Sequence, residues 1–161
     1  MNRKVSTLCY VKKDGKTLML HRVKRDGDIH KDKWNGLGGK LEDGETPEEG
    51  IIREVKEESG LDIFSPQLYG VMSFPKFKDD EDWLVFLYIA TKFQGELIEC
   101  DEGNLEWIDD EKICELNLWE GDHLFFEWLD RREFFSAKFC YEDGKLLSHD
   151  VTFYSDRMFS R

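Results

Sequence analysis

The chain has no uninterrupted apolar run approaching the ~18 residues that a membrane-spanning helix needs, so no membrane association is expected. It also lacks a leader pattern. MNRKVSTLCYVKKDGK carries basic residues with no long apolar stretch behind them, which argues against secretion. Cysteine is scarce: Cys9, Cys100, Cys114 and Cys140 are scattered, with no C-x-x-C pair. Without an export signal they read as reduced, mostly buried thiols of a cytoplasmic protein. Positive charge is the remaining shortage, since 23 Lys and Arg face 35 Asp and Glu and leave a net charge of −12. Long nucleic acids are gripped through basic surfaces, and this chain lacks one. A phosphate-bearing ligand should therefore be small, with metal ions supplying much of the positive charge.

Internal repeats, low-complexity tracts and domain linkers are absent too. What is present, 161 residues with 40% hydrophobic and 14% aromatic side chains, is enough for one globular domain with a real core. A monomer or weak dimer is the expected assembly. STLCYV, KKDGK and TLMLHRV read as strand, Asp-Gly turn and strand. KRDGDIHKDK (24–33) is a charged loop that runs into WNGLGGKLEDGET, whose glycines mark backbone that turns sharply or approaches something closely. A helix follows, with Thr46 as N-cap, Pro47 at its first position, Glu49 completing a capping box and Gly60 stopping it. QLYGVMSF and DWLVFLYIATKF read as strands joined by a charged linker at 76–82. LEWIDDEKI reads as a short strand and turn, and DHLFFEWLDRREFF as a second helix with Asp122 as a candidate cap. The tail reads as a hairpin around Asp143-Gly144. Strands flanking two helices predict an α/β domain with a mixed sheet between helix layers.

The first helix carries the chemistry. At about 100° per residue, Glu54, Glu57 and Glu58 of REVKEESG share an arc that adjoins the apolar arc of Ile51, Ile52 and Val55. Like charges at such spacings repel, and desolvation beside a buried face raises carboxyl pKa values unless cations are bound. Either this is an ordinary solvated acidic face, or hard divalent ions sit there; Mg²⁺, with Mn²⁺ as a substitute, suits such oxygen ligands and substrate phosphates. Arg53 can bridge to Glu49 or Glu57 and hold the array. The loop before the helix favours the second alternative, because Gly38, Gly39 and Lys40 bring backbone amides and carbonyls up to a ligand.

Gly39, Glu45 and the run Arg53-Glu54-Val55-x-Glu57-Glu58-x-Gly60-Leu61 resemble the Nudix box at every defined position, across 23 residues. The resemblance implies a hydrolase of nucleoside diphosphates linked to another moiety, on an α/β/α sandwich with a mixed central sheet. It implies Glu54, Glu57 and Glu58 as metal ligands, joined by the Gly38 carbonyl, with metal lowering the pKa of an attacking water. One of these glutamates, or Glu102 of ECDEGN, is implied as the base. Further likeness extends over most of the chain to the MutT class of oxidised-purine nucleoside triphosphatases, particularly its eukaryotic branch. ECDEGNLEW resembles that branch's segment bearing a metal-ligand glutamate, which places Glu102 in that role.

By the same resemblance Asn35 hydrogen-bonds the purine edge, Trp119 stacks on the base, Asp122 reads its polar edge and Thr7 lines the pocket floor. Arg22 or Lys24 is implied near sugar or phosphates. The chain departs from the branch at Gly121-Asp122, where two adjacent aspartates would be expected, with Glu120 just before. The loop at 24–33, with His30, is longer. The implied activity is Mg²⁺-dependent hydrolysis of 8-oxo-dGTP to monophosphate and pyrophosphate, sanitising the precursor pool. The alternatives are a Nudix hydrolase of ADP-ribose, a dinucleoside polyphosphate or an unmodified dNTP, or a nucleotide-binding module without turnover.

Overall fold

The run STLCYV shows no polar alternation because the strand that carries it is covered on both faces. In the computed structural model, which describes residues 3–154, β1 (Arg3–Lys13) turns at Asp14-Gly15 into β2 (Lys16–His21). Both turn residues have left-handed φ, 52° and 74°, the geometry of a tight hairpin turn. β3 (Trp34–Asn35), α1 (Pro47–Ser59), β4 (Asp62–Phe64), β5 (Gln67–Lys78), β6 (Glu81–Ala90), β7 (Lys92–Gln94) and β8 (Asn104–Asp109) follow. A 3-10 turn over Asp110–Glu115, α2 (Glu120–Leu129), β9 (Phe134–Glu142) and β10 (Lys145–Tyr154) complete the order.

The large sheet runs β10-β9-β5-β6-β1-β2-β3, with β8 also on β2. It is mixed: β1 pairs β6 and β5 pairs β9 in parallel, and the hairpins pair antiparallel. Period-two alternation divides the strand residues between two cores. Cys9 and Val11, Leu18 and Leu20, Tyr88 and Ala90 pack on one side with Ile51 and Val55 of α1. Tyr10, Met19, Leu87 and Ile89 pack on the other with Phe125, Trp128 and Leu129 of α2. The sheet therefore lies between two helix layers, the expected α/β/α arrangement. Ile51 and Val55 are fully buried, each contributing on the order of 2 kcal/mol, and an ionisable residue at either would break α1 from the sheet. The helix begins and ends as its punctuation dictates. The Thr46 side chain accepts from Glu49 N–H, the Glu49 carboxylate accepts from Thr46 N–H, and Gly60 closes the helix at φ 83°.

One irregularity builds the site. β2 leaves β1 after only two registered pairs, and residues 37–41 occupy the opened edge. Cys9 and Leu37 exchange backbone hydrogen bonds of 2.6 and 2.9 Å, Thr7 N–H donates to Gly39 O at 2.9 Å and Leu41 N–H to Val5 O at 3.0 Å. The glycine loop is thus a strand-like insert that lies between β1 and α1. A Cβ on Gly38 would run into the Thr7 carbonyl, so this close approach excludes any other residue there.

Three local expectations are corrected. Segment 76–82 is not a linker but the end of a hairpin, with Asp79 and Asp80 in the left-handed region at φ 55° and 58° and β5 continuing to Lys78. The second helix is shorter than its apolar run. It stops at Leu129, Arg132 turns the chain with φ 55°, and Phe134 and Phe135 enter β9. Asp122 is not its cap: Trp119 holds that position without a side-chain hydrogen bond, and Asp122 lies within the first turn. The small sheet of β4 and β7 had no separate signal in the sequence. No helix among the described residues is long and apolar enough to cross a membrane, and all four cysteines are free thiols.

Candidate active site

Arg53 organises the acidic helix. Its Nε donates to Glu45 Oε2 at 2.7 Å and its Nη2 to Glu45 Oε1 at 3.0 Å, a two-pronged grip that also ties α1 to the loop through the Lys40 carbonyl at 3.1 Å. Its Nη1 donates to Glu54 at 2.9 Å and Glu57 at 3.2 Å. Of the two bridges expected of Arg53, the one to Glu57 forms and the one to Glu49 does not, because Glu49 is engaged in the capping box. Arg53 hydrogen bonding holds the Glu45 carboxyl below its usual range, with the Glu42 backbone N–H assisting. One cation therefore offsets the repulsion of a self-repelling cluster and fixes its geometry. A lysine cannot present a planar fork to Glu45 and also reach Glu54, Glu57 and a carbonyl. Arg53→Lys is expected to lower kcat by about 10- to 100-fold and destabilise the fold by about 1–3 kcal/mol, measured by steady-state kinetics and urea unfolding.

The three glutamates occupy different environments. Glu57 is exposed, with 58% of its side chain accessible, whereas Glu54 shows 16%. Glu58 is buried and accepts a 2.8 Å hydrogen bond from Gly38 N–H. Glu54 lies against the glycine loop so closely that a Cβ on Gly39 would sit 2.7 Å from its carboxyl carbon. Burial pushes the Glu54 carboxyl up, Arg53 opposes this, and the charges of Glu57 and Glu102 add to it. Burial also pushes Glu58 up, reinforced by a hydrogen bond with Glu102 and by its charge. Glu102 is half-buried too. Against that burial, the Glu58 hydrogen bond and the positive charges of Arg22 and Arg25 hold its carboxyl low. The two carboxyls thus oppose one another's ionisation in a partly desolvated site, with protonation favoured at Glu58.

Such a pair suits a hard cation that would take the proton's place. Glu58, Cys100 and Glu102 each bring a donor atom within 4.8 Å of the others. Burial pushes the Cys100 thiol up, so the oxygens, not this sulfur, are the donors that match a hard ion. Glu54 and the Gly38–Gly39 cradle lie on the same side of α1, so the donor set fits a divalent cation. Cys100 was not anticipated, since its nearness to Glu58 depends on the turn that brings 100–102 against α1.

A cleft of about 670 Å³ opens beside this cluster, lined by Glu54 and Glu102 together with Gly38, Gly39 and Lys40. Thr7 lines it as well, its hydroxyl donating to Gly39 O at 3.1 Å. Asn35, Trp119 and Asp122 line the same cleft. Asn35 stands in β3, in register with Leu20, and not in a turn. Trp34, by contrast, stacks on His21 with centroids 4.4 Å apart and plays a structural part at the end of the 24–33 loop. Arg22 is at the cleft, paired with Asp28 at 2.9 Å. Lys24 is not among the lining residues: its ammonium donates to Cys100 O at 2.9 Å and its N–H meets Glu102 O at 3.2 Å, clamping the turn that presents Glu102. Arg25, two positions before a glycine in the loop, is the cation that reaches the cleft instead, 3.2 Å from Glu102. Glu120 is exposed and accepts from Leu146 N–H at 3.3 Å, away from the lining.

Asp122 is buried, and burial drives its carboxyl up to about 8, with the Lys33 charge opposing. Beside it, Gly121 has no room for a side chain: a Cβ there would meet Tyr141 Oη at 2.7 Å and the Phe139 ring at 2.8 Å. Gly121 N–H donates to Tyr141 Oη at 2.7 Å. The aromatic packing behind it therefore excludes a second carboxyl immediately before Asp122. Phe77, Trp83 and Tyr141 also line the cleft, and Trp83 Nε1 is a buried donor without a protein partner among the described residues. None of these carried a local signal, because each reaches the cleft through strand register.

Residues 2–134 match the family model described as NUDIX domain. The chain is 33% identical over 148 residues to an oxidized purine nucleoside triphosphate hydrolase of Danio rerio, covering 92% of this chain and 90% of that one. It is 36% identical over 121 residues to an uncharacterized Nudix hydrolase of Bacillus subtilis, covering 72% of each. Among solved structures, a mutator MutT protein of Bacillus halodurans superposes with a TM-score of 0.81 at 30% identity, over 92% of this chain and 97% of that one.

Proposed function

The chain belongs to the NUDIX family of hydrolases, and on that premise we propose that it hydrolyses oxidised purine nucleoside triphosphates, 8-oxo-dGTP foremost, to monophosphate and pyrophosphate. The observation that carries this reading is one cleft lined both by carboxylates suited to a cation, Glu54 and Glu102, and by a polar-aromatic group suited to a purine, Asn35, Trp119 and Asp122. The similarity along 92% of the chain to a relative named for oxidised purine triphosphates supports the same substrate class.

Glu54, Glu57, Glu58 and Glu102, with the Gly38 carbonyl, would hold Mg²⁺, Glu57 from its exposed position beside Arg53. When bound it would neutralise phosphate charge, polarise the scissile P–O bond and lower the pKa of the attacking water. The chain's own residues set the geometry. Arg53 fixes Glu54 and Glu57, and Arg22 and Arg25 hold Glu102 while facing the phosphates together with Lys40. A glutamate of the cluster takes the proton of the attacking water. At the other group, Asn35 offers a donor and an acceptor to the purine edge, and Trp119 offers an aromatic surface.

Rates of hydrolysis of 8-oxo-dGTP, dGTP and ADP-ribose with Mg²⁺, with product identification, test the reading. The expected result is preferential turnover of 8-oxo-dGTP with release of pyrophosphate. Equal rates on dGTP and 8-oxo-dGTP would remove the sanitising role. Preferential cleavage of ADP-ribose would move the chain to another substrate class.

A further inference from the structure

The loop at 24–33 does more than cover the edge of the cleft. His30 lines the cleft, and its Nδ1 accepts a 2.8 Å hydrogen bond from Trp119 Nε1–H. The two rings meet edge to face, 5.5 Å apart at 80°, and Phe77 lies 5.3 Å from the indole at 66°. Tilted aromatic contacts exclude water but leave a ring some freedom to swing, whereas an N–H···N bond fixes its direction. Burial pushes His30 down to about 4, and the Arg22 charge acts the same way, so the imidazole is neutral at neutral pH and Nδ1 is free to accept. This bond requires the tautomer with the proton on Nε2.

His30 is itself held. Its backbone N–H donates to Asp28 Oδ1 at 3.0 Å, Asp28 Oδ2 accepts from Arg22 Nε at 2.9 Å, and Arg22 Nη2 lies 3.7 Å from Glu102. The aromatic wall is thereby braced from the acidic cluster by a continuous chain of polar contacts through five residues, Trp119, His30, Asp28, Arg22 and Glu102, on three segments of the chain. A surface loop histidine with no role would not be joined to both groups.

We infer that His30 is a positioning residue for Trp119: its acceptor nitrogen sets the indole as the wall against which the purine packs. The inference rests on the nucleotide reading above. His30→Phe keeps a ring against Phe77 and removes the acceptor. His30→Asn places its amide oxygen near the site of Nδ1 and retains one. In the full chain, the Trp119 indole N–H resonance, assigned through Trp119→Phe, reports the bond, and the Kd for 8-oxo-dGMP with Mg²⁺ reports its use. His30→Phe is expected to shift that resonance, speed its exchange with solvent and weaken 8-oxo-dGMP by about 3- to 10-fold, the loss on 8-oxo-dGTP falling on KM more than on kcat. His30→Asn is expected to restore both. An unmoved indole resonance in His30→Phe would overturn the inference, because the bond would not exist in solution. A moved resonance with unchanged Kd would also overturn it, leaving His30 a packing residue. Failure of the unsubstituted chain to bind any purine nucleotide would sink the substrate reading and with it the purine role of His30. The indole measurement would still register the bond, so the two failures are distinguishable.

Discussion

Glu58→Gln is expected to lower kcat by about 10²- to 10³-fold or more while the fold survives. The carboxyl is buried on the inner side of α1, in contact with both the glycine loop and Glu102. Glutamine has the same shape, and its amide oxygen can still accept from Gly38 N–H, so the insert between β1 and α1 remains tied. What it cannot supply is charge. A divalent cation would face one carboxylate fewer where the site is least solvated, and its affinity depends on charged oxygen donors. The same substitution removes an ionisable group that burial disfavours, so unfolding by urea is expected to show stability equal to or above that of the unsubstituted chain. Kinetics titrated with Mg²⁺, together with calorimetric Mg²⁺ binding, check the first half. Undiminished turnover at limiting Mg²⁺ would remove Glu58 from the cation site. Loss of activity accompanied by loss of fold would mean that the carboxylate acts mainly as a tie for Gly38.

The sequence made α1 legible down to its caps, because capping is decided within four residues. Thr46, Pro47, Glu49 and Gly60 each act on the backbone beside them. The hairpins at Asp14-Gly15 and Asp143-Gly144 were legible for the same reason, their left-handed φ values being set by the turn residues themselves. Strand partners were not. The parallel pairing of β1 with β6 and of β5 with β9 joins segments far apart in the chain, and alternation of residue type says only which faces are buried. The same boundary runs through the site. The Nudix box pointed to the acidic helix, but it could not show that Glu58 is enclosed and Glu57 exposed, since that depends on the insert of residues 37–41 against β1. Arg25, Phe77 and Tyr141 reach the cleft from a loop, a hairpin end and a distant strand, and no spacing in the sequence connects them. Asp122 illustrates the opposite error. Its type and place before an apolar run fit an N-cap, but α2 starts two residues earlier and turns the same carboxyl inward. A buried carboxyl with no capping duty is a stronger candidate for recognition than a cap would have been.

Asp122→Asn is the substitution expected to change both stability and recognition with pH. The folded pKa of Asp122 is raised from 3.8 to about 8 by burial, so the folded chain binds its proton more tightly than the unfolded chain does. Its contribution to stability is therefore complete below the unfolded value and is lost as pH rises toward the folded value. Between roughly pH 4 and 8 this one group lowers stability by about 1.4 kcal/mol per pH unit; above that window its effect is level. Asparagine cannot ionise, so the difference in unfolding free energy between the variant and the unsubstituted chain should move in favour of the variant from pH 5 to pH 8. Guanidinium melts at intervals across that range measure the slope, and parallel curves would show that Asp122 is already ionised. On the proposed nucleotide reading, a bound purine edge is expected to sense the same titration. A protonated Asp122 offers an O–H donor and a carbonyl acceptor, an ionised one offers only acceptors, and asparagine retains one of each. Selectivity of the unsubstituted chain for 8-oxo-dGTP over dGTP is thus expected to vary with pH near 8, and that of Asp122→Asn to stay flat. Asp122→Ala, lacking both groups, is expected to lose about 1–3 kcal/mol of discrimination with a smaller loss in turnover of the poorer substrate. If Asp122→Ala instead slows both substrates equally, the carboxyl supports the first turn of α2 and does not read the base.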